Sequence, residues 1–113
     1  MDCVFCKIIN KEIGAKIILE NEWVIAFDNI KPVYPVHELI VPKKHIANIQ
    51  EAKVEDKEYL AQILLAVPEV AKIKGVDQSG YRLVINCGKD SGMSVGHLHM
   101  HLLGGQALPF ATG

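Results

Sequence analysis

Apolar and polar positions change period several times along the chain. Residues 4–10 (VFCKIIN) read as a short opening helix. Residues 15–20 (AKIILE) form an isoleucine-rich apolar run, Asn21-Glu22 supplies a turn, and residues 23–28 (WVIAFD) read as a second strand, so a hairpin is predicted. Pro32 and Pro35 mark a loop over 31–36. A strand over 37–41 follows, stopped by Pro42. Residues 54–74 carry the clear helical period: Leu60, Ile63, Leu64, Val67, Val70 and Ile73 recur at three- and four-residue steps and predict one apolar stripe. Pro68 should kink this helix, and Gly75 should cap it. Residues 81–87 (YRLVINC) predict another strand, 88–96 a loop with three glycines, and 97–103 a last strand before Gly104-Gly105. Strands and helices do not alternate regularly. Five strands, one long helix and one or two short ones therefore predict an α+β class with an antiparallel sheet.

Length adds that residues 1–113 make one domain, since a chain this short has no room for two cores. Half the residues are hydrophobic and 22% are charged, which is globular composition. Twelve basic and thirteen acidic residues leave a formal charge of -1, which argues against bulk binding to nucleic acid or an anionic membrane. No apolar run approaches the roughly 20 residues of a membrane span. The start, MDCVFCKIINKE, has an acid at position 2 and does not resemble a secretory signal. Three cysteines are too few for a disulfide scaffold, so a reducing, cytoplasmic setting is expected.

Candidate chemistry centres on histidine. Three of the five histidines are His97, His99 and His101. On an extended chain these point to one face, roughly 6.6 Å apart, while Leu98, Met100 and Leu102 point to the other. Such a row can be a solvated face, a metal site, or a nucleophile and acid/base set directed at a phosphoryl group, because neutral imidazole can attack phosphorus. The preceding GKDSGMSVG favours the phosphoryl reading: glycines let backbone N–H groups approach an anion, and Ser94 adds a hydroxyl.

With these residues in view, GHLHMHLLGG resembles the His-x-His-x-His signature of the histidine triad (HIT) superfamily. CVFCKIINKEI, AFDNIKP, HELIVPKKHI and YRLVINCG extend the similarity over nearly the whole chain, to the nucleotide-binding Hint branch and its zinc-bearing bacterial type. The resemblance implies a homodimer whose two five-stranded antiparallel sheets join into one of ten strands. It implies a phosphoramidase that releases an amine from purine nucleoside 5′-phosphoramidates of the AMP or GMP type. His99 would be the nucleophile, forming a nucleotidyl-histidine that water hydrolyses. His101 would contact the phosphate. Asn86 and Ser94 would bind the phosphate or leaving group, with backbone N–H groups from Gly92 through Met93 to Ser94. His37 would sit behind the triad and orient imidazoles, or be simply a packed strand histidine.

Val4, Phe5, Ile8, Phe27, Asn29 and Ile30 would form the base and ribose pocket, or else belong to the core. Asn29 stands where the family usually has an acid, and offers only one carbonyl acceptor to the ribose. Met93 stands where Gln is usual, so a Met93→Gln change is expected to raise the rate. The tail QALPFATG departs from the longer aromatic ending of animal Hint proteins. Two alternatives stay open: a dinucleoside polyphosphate hydrolase of the Fhit kind, and a nucleotide- or zinc-binding module with little catalysis.

Cys3-x-x-Cys6 alone is compatible with a redox pair, isolated thiols or half a zinc site, without the strand that precedes a thioredoxin-like pair. The resemblance completes it with His45 and His97. Two thiolates and two imidazoles make a closed tetrahedral set, the pattern of a structural Zn2+ that the chemistry itself does not need. Cys87 is expected to be a packed thiol.

Overall fold

A computed structural model describes residues 3–110; the acid at position 2 and the last three residues of the QALPFATG tail lie outside them. The elements run α1 (Val4–Ile9), β1 (Ile17–Glu20), β2 (Val24–Asp28), β3 (Val36–Pro42), α2 (Lys57–Leu65), α3 (Val67–Ile73), β4 (Tyr81–Val84) and β5 (Met100–Gly104). Five strands form one sheet in the order β1-β2-β3-β5-β4, with every pairing antiparallel. The hairpin turn forms as expected, with the Asn21 side chain accepting from the Trp23 and Val24 amides at 2.8 and 3.0 Å.

Both faces of the sheet are covered, which is why β2 is buried from Val24 to Phe27. One face carries Val24, Ala26, Ile40, Met100 and Leu102 and packs on Ile63, Val67 and Val70 of α2 and α3. The other carries Ile25, Phe27, Leu39 and Val41 under Phe5 and Ile8 of α1. Among the described residues no helix is long and apolar enough to cross a membrane.

Four details differ from the sequence expectations. The long helix is two, with Ala66 between α2 and α3, because Pro68 fits only the first turn of a helix. Leu64 and Ile73 of the expected stripe are 55% and 52% exposed, since the stripe turns away from the sheet at its edges. β4 ends at Val84 rather than at Cys87. β5 begins at Met100, so His97 and His99 lie on chain leading into the ladder. The extended alternation persists there: Leu98, Met100 and Leu102 all enter the helix-side core.

Two glycines fix the framework. Gly75 takes a φ of 73° and closes α3, with its amide bonding Lys72 and that of Val76 bonding Ala71, a Schellman arrangement. Gly105, at φ 89°, runs beneath the loop before β3; a Cβ there would meet Pro35 at 2.8 Å. That close approach locks the chain leaving β5 against the loop leading to His37.

Candidate active site

The histidines acquire distinct roles from their hydrogen-bond partners. A carbonyl only accepts, so the tautomers follow from contacts to backbone oxygens. His99 Nδ1–H donates to the His97 carbonyl at 2.7 Å, which leaves the His99 Nε2 lone pair free. His97 does the reverse: its Nε2–H donates to the Pro42 carbonyl at 2.9 Å, and its Nδ1 lone pair faces away. His37 Nδ1 accepts from the Val33 amide at 3.1 Å, so its proton sits on Nε2 and is given to His101 Nδ1 at 2.8 Å. His101 therefore carries its own proton on Nε2.

Burial lowers the pKa of His37 and His97. Burial, helped by the neighbouring His99 and His37, pushes His101 down to about 4. All three are neutral near pH 7. The set thus offers one nucleophilic nitrogen and a neutral donor beside it.

His99 and His101 open into a cavity of about 260 Å³. Of the residues expected at a nucleotide site, Val4, Phe5, Ile8, Phe27, Asn29, Ile30 and Ser94 line it with them. Asn86, Gly92 and Met93 do not. The Gly92 amide bonds the Lys89 carbonyl at 3.1 Å and the Met93 amide bonds Ser91 Oγ at 3.3 Å, so both donors are engaged inside the loop. His37 stands behind His101, off the cavity wall. Leu39 and Val95 also line the cavity and were missed. Leu39 was within reach of sequence reasoning, because it lies two residues from His37 on one strand and pairs across the sheet with His101.

Asn29 is drawn into the histidine network. Its Oδ1 accepts from the Lys31 amide at 2.9 Å, which turns its Nδ2 toward His37 Nε2 at 3.2 Å. Both of those nitrogens carry protons, so this is a poorly matched contact. A carboxylate at the same position would accept from both sides.

On the far side of His97 lies a second cluster. Ligand atoms of Cys3, Cys6, His45 and His97 all lie within 4.8 Å of one another, close enough to hold a metal ion. His97 Nδ1 is 3.3 Å from Cys3 Sγ and 3.1 Å from His45 Nδ1, and Cys6 Sγ is 3.3 Å from His45 Nδ1. Ligands about 2.0–2.3 Å from a tetrahedral ion sit at about these separations from each other. The His97 Nε2–H on the Pro42 carbonyl is the outer hydrogen bond that metal-binding histidines use to fix ring and tautomer. Burial beside the Cys3 thiol pushes the Cys6 thiol up to about 11, so a metal would have to displace protons there. The residues fit the group.

The model of the HIT domain matches residues 10–108. An uncharacterized HIT-like protein of Synechococcus elongatus is 45% identical over 112 residues, covering 99% of this chain and 97% of that one. A HIT family hydrolase from Legionella pneumophila superposes with a TM-score of 0.93 at 43% identity, over 99% of this chain and 100% of that one. A histidine triad nucleotide-binding protein from Candida albicans superposes with a TM-score of 0.82 at 31% identity, over 99% of this chain and 87% of that one. A domain match across most of the chain, joined to a sheet that brings His99 and His101 to one cavity, places this chain in the HIT domain family.

Proposed function

We propose that this protein is a purine nucleoside 5′-phosphoramidase acting through a nucleotidyl-His99 intermediate. The observation that carries the reading is the His99 tautomer: its Nδ1–H is held by the His97 carbonyl, which presents the Nε2 lone pair beside the cavity. Attack would form an N–P bond as the P–N bond to the amine breaks. The departing nitrogen takes up a proton, and water then cleaves the phosphorus from His99. His101 Nε2–H would donate to a phosphoryl oxygen, held in that tautomer by His37, and Ser94 would add a hydroxyl at the cavity wall. Such preorganised donors usually supply the largest part of the rate. Phe5, Ile8, Phe27 and Ile30 would hold the purine. The names of the Legionella and Candida relatives, a hydrolase and a nucleotide-binding protein, support hydrolysis and a nucleotide ligand.

Zinc at Cys3, Cys6, His45 and His97 would be structural, since four protein ligands leave no position for substrate. A homodimer is supported by β4, an edge strand whose Tyr81 and Leu83 are 36% and 39% exposed. Leu64 and Leu65 of α2 are exposed as well, at 55% and 67%. The cysteines form no disulfide among the described residues, which suits the cytoplasm.

Hydrolysis rates for an adenosine 5′-phosphoramidate, diadenosine triphosphate and diadenosine tetraphosphate test the reading. The phosphoramidate should be preferred by kcat/KM, and acid-quenched enzyme should carry a nucleotidyl group on His99 by mass spectrometry. Faster cleavage of the dinucleotides would favour a polyphosphate hydrolase. Binding with no turnover of any substrate would leave a nucleotide-binding module.

A further inference from the structure

The metal cluster and the cavity share a wall. Cys3 and Cys6 bracket Phe5, whose side chain is 6% exposed. The Phe5 ring meets His97 edge-on at 5.9 Å between centroids, His99 at 5.1 Å and Phe27 at 5.6 Å. One aromatic ring thus touches a member of the metal cluster and the nitrogen-bearing ring that opens into the cavity. A second link runs through the backbone, because the His97 carbonyl holds His99 Nδ1.

The element between the two sites is weak by itself. α1 has six residues, fewer than an isolated helix needs to persist in water. Its start is capped by Cys3 Sγ, which accepts from the Cys6 amide at 3.3 Å. Yet α1 supplies Val4, Phe5 and Ile8 to the cavity wall. An ion gripping Cys3 and Cys6 on one side and His45 and His97 on the other would tie α1 to the sheet. It would thereby order the Phe5 wall before any nucleotide arrives. A nucleotide pressing on Phe5 would order the same helix and so preassemble the two thiol ligands.

We propose that the metal cluster and the nucleotide pocket are thermodynamically coupled through Phe5, so that filling either one tightens binding at the other. This rests on the nucleotide reading above. Each ligand contributes part of the ordering cost of α1, and the second to bind then meets less of it. Coupling between binding sites is reciprocal, so the enhancement must be the same factor measured from either side. A metal that serves only to keep the protein folded would leave nucleotide affinity unchanged in any stripped protein that remains folded.

The experiment uses AMP as the probe. Its Kd is measured by calorimetry on zinc-loaded protein and on chelator-stripped protein shown to be folded by circular dichroism. The zinc Kd is measured by chelator competition with and without saturating AMP. Both should show the same enhancement, of at least about fivefold. Phe5→Leu should reduce the factor to below about twofold while each ligand still binds. Ile30→Ala, a change at an exposed position of the cavity lining outside α1, should weaken AMP equally in both metal states and keep the factor.

Cobalt substitution provides a readout on the loaded protein alone. AMP should shift the cobalt absorption bands in the wild type and not in Phe5→Leu, and an absence of any shift in the wild type would count against coupling even if the stripped protein unfolds. Equal AMP affinities in loaded and stripped protein overturn the coupling and leave the nucleotide reading standing. An undiminished factor in Phe5→Leu overturns the role of Phe5. Failure of AMP to bind in either state overturns the nucleotide reading itself, and the coupling with it.

Discussion

Glu38→Gln should make the protein more stable above neutral pH and remove part of its pH dependence. Glu38 lies directly opposite Asp28 on neighbouring strands and is only 1% exposed. Its Oε1 finds no hydrogen-bond partner among the described residues. Lys74, at the end of α3, reaches Asp28 at 3.1 Å and Glu38 at 3.8 Å, and Lys16 reaches Asp28 at 3.7 Å. Burial, reinforced by the hydrogen bond to Asp28 and its charge, pushes the Glu38 carboxyl up to about 7. Burial also opposes ionisation of Asp28, but the hydrogen bond from Glu38 and the Lys74 ammonium outweigh it and lower that carboxyl. A carboxyl raised on folding binds its proton more tightly in the native state. Its contribution is therefore complete below its unfolded value and is lost as pH rises through about 7. Between pH 5.5 and 8.5 the shift amounts to about 2 kcal/mol, and sharing the proton with Asp28 reduces the expected loss to about 1 kcal/mol. Gln keeps the shape, and its amide donates to Asp28 at every pH. The depressed histidines act in the opposite direction, adding stability as pH rises through their unfolded range, so the difference between variant and wild type is the quantity to follow. Urea unfolding at pH 5.5 and 8.5 should show the variant gaining about 1 kcal/mol on the wild type across that interval. A difference that stays constant, or a variant that loses ground at pH 8.5, would refute the assignment of a protonated Glu38.

His99→Ala should abolish phosphoramidate turnover while AMP affinity stays within a few fold, because the cavity wall survives the loss of the nucleophile; a variant retaining most of its kcat would exclude covalent catalysis at this residue. Elemental analysis of protein purified under reducing conditions should find about one zinc per chain, lost in acid as the ligands protonate; metal-free protein with intact thiols would count against the cluster as a metal site. Met93→Gln should change kcat/KM by less than about threefold, rather than raise it as the sequence alone suggested, since Met93 lies off the cavity wall; a gain of about a hundredfold, the scale of one transition-state donor, would place this side chain at the reacting group. Leu83→Arg on the edge strand should convert a dimer to monomer in sedimentation, and an unchanged mass would move the interface elsewhere.

The parts of the fold that were legible in the sequence are the short apolar runs bounded by turn residues. Residues 23–28 read as a strand because β-branched and aromatic residues dominate them, and 37–41 because an apolar run, Leu39 to Val41, leads up to Pro42; strands form over Val24–Asp28 and Val36–Pro42. The expected last strand starts too early because the alternation of His and Leu continues for three residues, His97 to His99, before the ladder begins at Met100. Alternation reports an extended chain, whereas a ladder needs paired backbone groups: the register puts Leu98 opposite Pro42, which has no N–H to give, and the Leu98 amide turns instead to the Ile46 carbonyl at 2.7 Å. The cluster of buried Glu38 with half-buried Asp28 and Lys74 was invisible for a different reason. A carboxylate in a strand reads as a solvent-facing position, and Lys74 is distant in sequence. The grouping of Cys3 and Cys6 with His45 and His97 came from family resemblance, since no local period links residues so far apart. The engaged amides of Gly92 and Met93 show the converse: a glycine-rich stretch announces backbone freedom, but not where the freed N–H groups point.

His97 and His99 show how one residue type is given opposite chemistry by main-chain carbonyls. Each donates one ring proton to a backbone oxygen, but from different nitrogens: His97 from Nε2 to Pro42, His99 from Nδ1 to His97. The nitrogen left bare consequently faces the sulfur cluster in the first case and the cavity in the second. Neither direction depends on a carboxylate partner: both are set by main-chain carbonyls. His101 is held by a third device, a proton from His37 that fixes it as a donor. The sequence feature that distinguishes the three is their spacing relative to Pro42 and His37 on the neighbouring strand. The Leu39–His101 register sets His101 two residues from His37 and carries His97 back to the end of β3, where the Pro42 carbonyl has no further strand residue beyond it to engage. Strand register, more than the identity of any single histidine, thereby decides which ring nitrogen is left bare toward the cavity, which is left bare toward the cysteines and which carries the proton.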